Sequence, residues 1–196
     1  MKILVCISKA PDTTAKIAFT DGDTKFDENG VQFIVNPYDE WYALVRGLEL
    51  KEANGGTVTV LNVGGAENDP IIRKALAIGA DDAVRIDTAA NDALAVAKQV
   101  AGYAKDKSFD LVLLGKETID YNGSQVGGMI AELLDLPYVS QATKLDVNGS
   151  TSTVERDIEG GVEVIEVNGA FVLSSAKGMA EARIPNMRGI DRKSVV

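Results

Sequence analysis

The chain has 196 residues, is 45% hydrophobic and 25% charged, and is long enough to bury one main core. Its net charge of −9 disfavours binding to nucleic acid or anionic membranes, which reward clustered Lys and Arg. Histidine is absent and Cys6 is the single cysteine, which excludes an intrachain disulfide, a dithiol redox pair, a self-contained cysteine-ligated iron–sulfur cluster, a Ser-His-Asp triad and a His-ligated zinc site.

In chain order, Met1-Lys2 leads directly into the apolar run Ile3-Leu4-Val5-Cys6-Ile7, with no h-region of a secretory signal, and this run reads as a strand buried on both faces. Between Lys16 and Val35, Asp21-Gly22 and Asn29-Gly30 are hairpin-type turn signals, so a small β excursion is expected there. Asn36-Pro37 announces the first helix: Asn is expected to cap its orphan N–H groups and Pro to occupy its first position, with Trp41, Leu44, Val45 and Leu48 on one face. Val58 to Val63 is a second strand. Asp69-Pro70 opens a second helix through Ile71, Ile72, Ala75 and Leu76 that stops at Gly79.

Ala83 to Ile86 is a third strand, followed by a helix opening near Asn91 with Leu94, Ala97, Val100 and Ala101 inward. Leu111 to Leu114 is a fourth strand, and the helix after Asn122-Gly123-Ser124 turns Met129, Ile130, Leu133 and Leu134 inward. From Lys144 to Ser174, Asn148-Gly149, Gly160-Gly161 and Asn168-Gly169 separate segments containing Val154, Val162, Val164 and Val167, which read as antiparallel strands added near the sheet. The alternation predicts an α/β fold, a parallel sheet with helices on both faces. No apolar run approaches the roughly 18 residues that span a bilayer, so membrane insertion is not expected.

In open parallel sheets, ligands collect where strand ends feed into helix N-termini. Ser8 to Asp12, Asn62 to Gly65 and Gly115 to Gly127 are such loops, the last being the richest in donors. Neither a Walker motif nor a G-x-G-x-x-G fingerprint is present, so phosphate would be held by backbone amides with help from Asn122, Gly123, Ser124 and Gln125, while Asp120 could accept from a ribose hydroxyl. On composition alone this stretch reads equally as an ordinary Gly- and Asn-rich βα connection.

Five ordered segments carry a family resemblance: Asn36 to Asp39, Ala75 to Asp81, Leu111 to Asp120 followed by Gln125-Val126-Gly127, Val154 to Gly161, and Ile184-Pro185-Asn186. In order and spacing they resemble electron transfer flavoprotein β subunits over nearly the whole chain. The resemblance implies a Rossmann-like sheet related to the adenine nucleotide alpha hydrolases. It also implies an adenine-nucleotide site at Cys6, Asn36, Pro37, Tyr38, Asp39, Val63, Gly115, Lys116, Glu117, Thr118, Ile119, Asp120, Tyr121, Asn122, Gly123, Ser124, Gln125 and Val126. In most members that ligand is AMP with a structural role, and in electron-bifurcating relatives it is a second FAD. Such relatives usually show Gly-Asp-Thr-Ala where this chain has Tyr121-Asn122-Gly123-Ser124, and the bulk of Tyr121 favours AMP.

The redox-active FAD is implied to lie mainly on a separate α subunit, with Tyr38 near the flavin, Arg156 and Asp157 toward the partner, and Ile184 anchoring a loop that docks dehydrogenases. By themselves Arg156 and Asp157 also read as surface charges and Ile184 as a core contact. Acyl-CoA and related dehydrogenases would deliver electrons that pass to a quinone reductase, in the bacterial cytoplasm, with no catalytic residue in this chain. Family members run on past Asp191-Arg192-Lys193-Ser194-Val195-Val196 with a C-terminal arm, so that arm is expected to be short or missing. An ATP-cleaving relative would need an S-G-G-x-D-S loop where Ser8-Lys9-Ala10-Pro11 stands, and a universal-stress-type adenylate sensor a Gly-x-x-Gly-x-Gly-Ser pattern that is not found.

Overall fold

The computed structural model describes residues 1–89, 92–181 and 183. Chain order runs β1 (Lys2–Cys6), β2 (Lys9–Pro11), β3 (Phe19–Thr20), β4 (Lys25–Phe26), β5 (Phe33–Val35), α1 (Asp39–Asn54), β6 (Thr57–Val63), α2 (Asp69–Ala77), β7 (Asp82–Ile86), α3 (Ala93–Ala104), β8 (Leu111–Gly115), α4 (Val126–Leu134), β9 (Tyr138–Asn148), β10 (Thr151–Ile158), β11 (Gly161–Asn168) and β12 (Phe171–Ser175). One eight-stranded sheet takes the order β11-β10-β9-β12-β8-β1-β6-β7. From β9 across to β7 every neighbouring pair is parallel, and β10 and β11 extend the sheet as an antiparallel ribbon.

Alternate residues of one strand serve opposite layers, which is why the central strands carry unbroken apolar runs such as Ile3 to Val5 and Leu111 to Leu114. Ile3 and Val5 of β1 join a core with Leu44 and Leu48 of α1 and Ile72 and Leu76 of α2. Leu4 between them points to the other face, where Ala97 and Val100 of α3 and Ile130 of α4 lie. The first two helices therefore cover one face and the last two the other. The strand order reverses between β1 and β8, so their outgoing loops part company and open a crevice at the carboxyl edge.

The small β excursion forms as expected: β2 pairs with β5, and β3 with β4 across the Asp21-Gly22 turn. The three dipeptide turns of the later region also stand where the sequence places them, although β12 returns to insert between β9 and β8 and makes the added strands continuous with the main sheet. Pro70 takes the first turn of α2.

Two expectations are corrected. Asn36 and Pro37 lie ahead of α1, whose cap position is Tyr38 with no side-chain capping bond, because the Asn36 amide is engaged elsewhere. Leu94 and Leu133 are 44% and 43% exposed, since helical periodicity assigns a face but not how far along the helix the covering layer reaches. The helix expected to open near Asn91 begins at Ala93 and is capped by Asp92, whose carboxylate accepts from Ala95 N at 2.7 Å, while Asn91 itself lies outside the described residues. No helix among the described residues is long and apolar enough to cross a membrane.

Candidate functional site

The crevice is built where three chain segments meet at the ends of β1 and β8. β8 ends on Gly115, and a Cβ there would stand 2.8 Å from both Cγ and the backbone N of Glu40 and 3.0 Å from Cβ of Asp39. Only glycine lets the N-terminus of α1 come down onto the strand end. The same N-terminus is tied to the neighbouring strand by Ser175, whose hydroxyl donates to the Asp39 carbonyl, while Lys116 N donates to Ser175 O at 2.9 Å.

Asn36 is fully buried and clamps the loop after β8. Its Nδ2 donates to Glu117 O at 3.0 Å and its Oδ1 accepts from Ile119 N at 2.9 Å, so one side-chain amide replaces the missing backbone partner of two loop residues. Asn36 N in turn donates to Ser8 O at 3.0 Å, and the Ser8 backbone N and hydroxyl donate to the two carboxylate oxygens of Glu40 at 2.7 and 2.8 Å. Glu40, Ser8, Asn36 and the 117–119 segment thus form one hydrogen-bonded chain linking both lips of the crevice.

Beyond the clamp the loop comes to the surface. Glu117 accepts from Ser124 Oγ at 2.9 Å and pairs with Lys116 at 3.4 Å, and Asn122 N closes a turn on Thr118 O at 2.9 Å. Asn122 and Ser124 adopt left-handed φ values of 50° and 51°, a conformation that Asn tolerates through its short polar side chain. Asp120, Asn122, Gly123 and Gln125 are exposed, and Tyr121 is 84% exposed. Val126 then starts α4, whose first-turn N–H groups have no intrahelical acceptor. Gly127 lets that helix start approach Tyr138, since a Cβ would lie 2.7 Å from its hydroxyl, which donates to Ser174 Oγ at 2.9 Å.

Val63 ends β6 beside β1, over a buried amide pair in which Asn62 donates to Ile7 O and Asn68 donates to Asn62 Oδ1, each at 2.9 Å. Cys6 ends β1 partly buried; burial first and Glu40 second push its thiol up to about 12, so it stays a neutral packing group. Burial likewise raises Asp39, with Lys116 opposing, whereas the Ser124 hydrogen bond first and Lys116 after it lower Glu117. Tyr38 is 55% exposed and holds φ 64° and ψ −97°, a sparsely populated backbone that costs roughly 1–3 kcal/mol and turns its ring outward beside the crevice.

The structure therefore brings Cys6, Asn36 to Asp39, Val63 and Gly115 to Val126 to one edge. Arg156 is elsewhere on that edge. Gly115, Ser175, Ala142 and Arg156 stand level on successive strands, which places Arg156 three strand spacings, roughly 14 Å, from the end of β8. It pairs with Glu163 directly across the ladder and donates to Ser140 Oγ at 3.0 Å, while Asp157 is exposed on the opposite face of β10. Ile184 lies outside the described residues. Among the described residues no cluster of acidic or cysteine side chains could hold a metal ion.

Ser8 and Glu40 were not singled out from the sequence. An acidic residue in a first helical turn reads as an exposed partner of the helix dipole, and only the approach of α1 to Gly115 makes Glu40 a buried member of the crevice.

The profile of the Electron transfer flavoprotein domain family matches residues 23–196. The electron transfer flavoprotein subunit beta of Bacillus subtilis is 39% identical over 97% of this chain and 74% of its own length, and that of Thermoanaerobacterium thermosaccharolyticum is 35% identical over 97% and 74%. Protein FixA of Azotobacter vinelandii is 35% identical over 98% of this chain and 71% of its own length. The matched profile and the similarity over nearly the whole of this chain show that it belongs to the electron transfer flavoprotein family, among its β subunits.

Proposed function

We propose that this chain is the β subunit of a heterodimeric electron carrier that holds AMP in the β1/β8 crevice and does no bond chemistry of its own. The observation that carries this reading is the path of the 115–126 segment. It leaves β8 at the point where the strand order reverses, is pinned at its base by Asn36 and presents an exposed turn that ends on the start of α4. An adenylate fits that donor set: main-chain N–H groups and the Asn122, Ser124 and Gln125 side chains for phosphate, and Asp120 for a ribose hydroxyl. The net charge of −9 makes such local donors the only means of holding an anion here.

An FAD bound mainly by the α subunit would supply the one- and two-electron chemistry. This chain's residues would do the shielding and docking: the outward Tyr38 ring would form part of the flavin wall. Asp157, which has no ion-pair partner among the described residues, would meet the α subunit beside the exposed Ile158 and Val162. Acyl-CoA and related dehydrogenases would dock through the region of Ile184 and electrons would leave to a quinone reductase.

A second reading, FAD in the same crevice, draws on one observation: Tyr121, the bulky residue of the loop, is 84% exposed. Co-expression with the α subunit, a visible spectrum and chromatography of released nucleotides separate the two. One AMP and one FAD per heterodimer supports the first reading, two FADs the second, and ATP turnover by the isolated chain overturns both.

A further inference from the structure

The buried carboxyl of Glu40 does work that neither the family resemblance nor the nucleotide contacts require. It is 7% exposed, lies against Gly115 at the base of the crevice, and has no basic partner among the described residues. Its neighbours from each packed element are Ser8 in the loop after β1, Cys6 at the end of β1, Asp39 beside it on α1 and Asp120 on the loop after β8. Lys116 acts on Asp39 and pairs with Glu117 instead. Two acids and a thiol around a buried carboxyl, with only Ser8 donating to it, make its ionised form costly.

We propose that Glu40 is the protonation switch of the crevice: neutral, it adds no charge beneath the loop that takes an anionic phosphate, and ionised, it sets a buried negative charge there and the nucleotide leaves. The inference rests on the nucleotide reading of this crevice and adds its regulation. Burial, then the charges of Asp120 and Asp39, against the two Ser8 hydrogen bonds, carry the Glu40 carboxyl up to about 8, so the switch operates within a range a cell visits. The phosphate cannot mimic it, because its second proton is lost near a pKa of about 6 and above pH 7 its charge is constant.

The test is AMP affinity of the full chain, in the complex in which it purifies, between pH 7 and pH 9, with folding followed by circular dichroism at each pH. A group titrating near 8 is about one-tenth protonated at pH 9, so affinity is expected to fall roughly tenfold across that range, and Glu40→Gln to abolish the fall. Should that variant not fold, Ser8→Ala serves: losing the donor that stabilises the ionised form moves the midpoint to higher pH. Affinity that stays within about twofold in the wild type, a fall retained in Glu40→Gln, or an unmoved midpoint in Ser8→Ala overturns the switch. Failure of AMP to bind even at pH 7 overturns the nucleotide reading instead.

Discussion

The crevice at the β1/β8 edge and the β9–β11 ribbon both carry charged and amide side chains, and they use them in opposite ways. In the crevice Asn36 and Glu40 are buried, and their bonds run between segments far apart in sequence. In the ribbon, Lys144 with Glu155 and Arg156 with Glu163 pair between adjacent strands while remaining partly exposed. A ribbon pair that breaks finds water at once; a crevice group that loses its partner finds none. Polar side chains therefore set the geometry of the first region and only decorate the second.

Substitutions break that comparison most sharply at Gly115. A valine there meets the Glu40 backbone and Asp39 at distances no rotamer relieves, and Gly115→Val is expected to cost about 3 kcal/mol or more, read as a lower urea midpoint. Asn36→Ala strands Glu117 O and Ile119 N together and is expected to cost about 2 kcal/mol and to abolish AMP binding by calorimetry. If Asn36→Ala proves as mild as a ribbon substitution, the contrast between the regions fails.

The pH dependence of stability sharpens it further. Glu40 rises from 4.5 to about 8 on folding, so between those values the folded protein holds a proton that the unfolded chain has released. Its contribution is therefore greatest below pH 4.5, falls as pH rises toward 8 and is flat above. Over that window the wild type is expected to lose about 1.4 kcal/mol more per pH unit than Glu40→Gln, measured by urea unfolding at a series of pH values. At the small end, Arg156→Ala removes one partly exposed cross-strand pair and is expected to cost under about 1 kcal/mol in the same assay.

The layers were legible because the central strands carry runs of apolar residues, unbroken in Ile3 to Val5 of β1 and Leu111 to Leu114 of β8, and each ribbon turn is marked by a glycine dipeptide. The crevice lining was legible only in part. Asn36 looks like a helix cap by every local rule, yet its amide spans 81 and 83 residues to Glu117 and Ile119. Tyr121 stands out in the sequence by its bulk, and only the structure shows that it is 84% exposed. Leu94 and Leu133 keep the helical period and still face outward.

Alternation of residue types along the chain was enough to establish the α/β class and the turn positions, because those depend on near neighbours and on patterns that survive without knowing what packs on what, and the resemblance of five ordered motifs carried the family. Which polar groups are buried was decided by the tertiary structure alone. The arrival of α1 on Gly115 removes water from Glu40 and from the Asn36 amide, and desolvation, unlike propensity, is a property of the assembled layers and of no single segment.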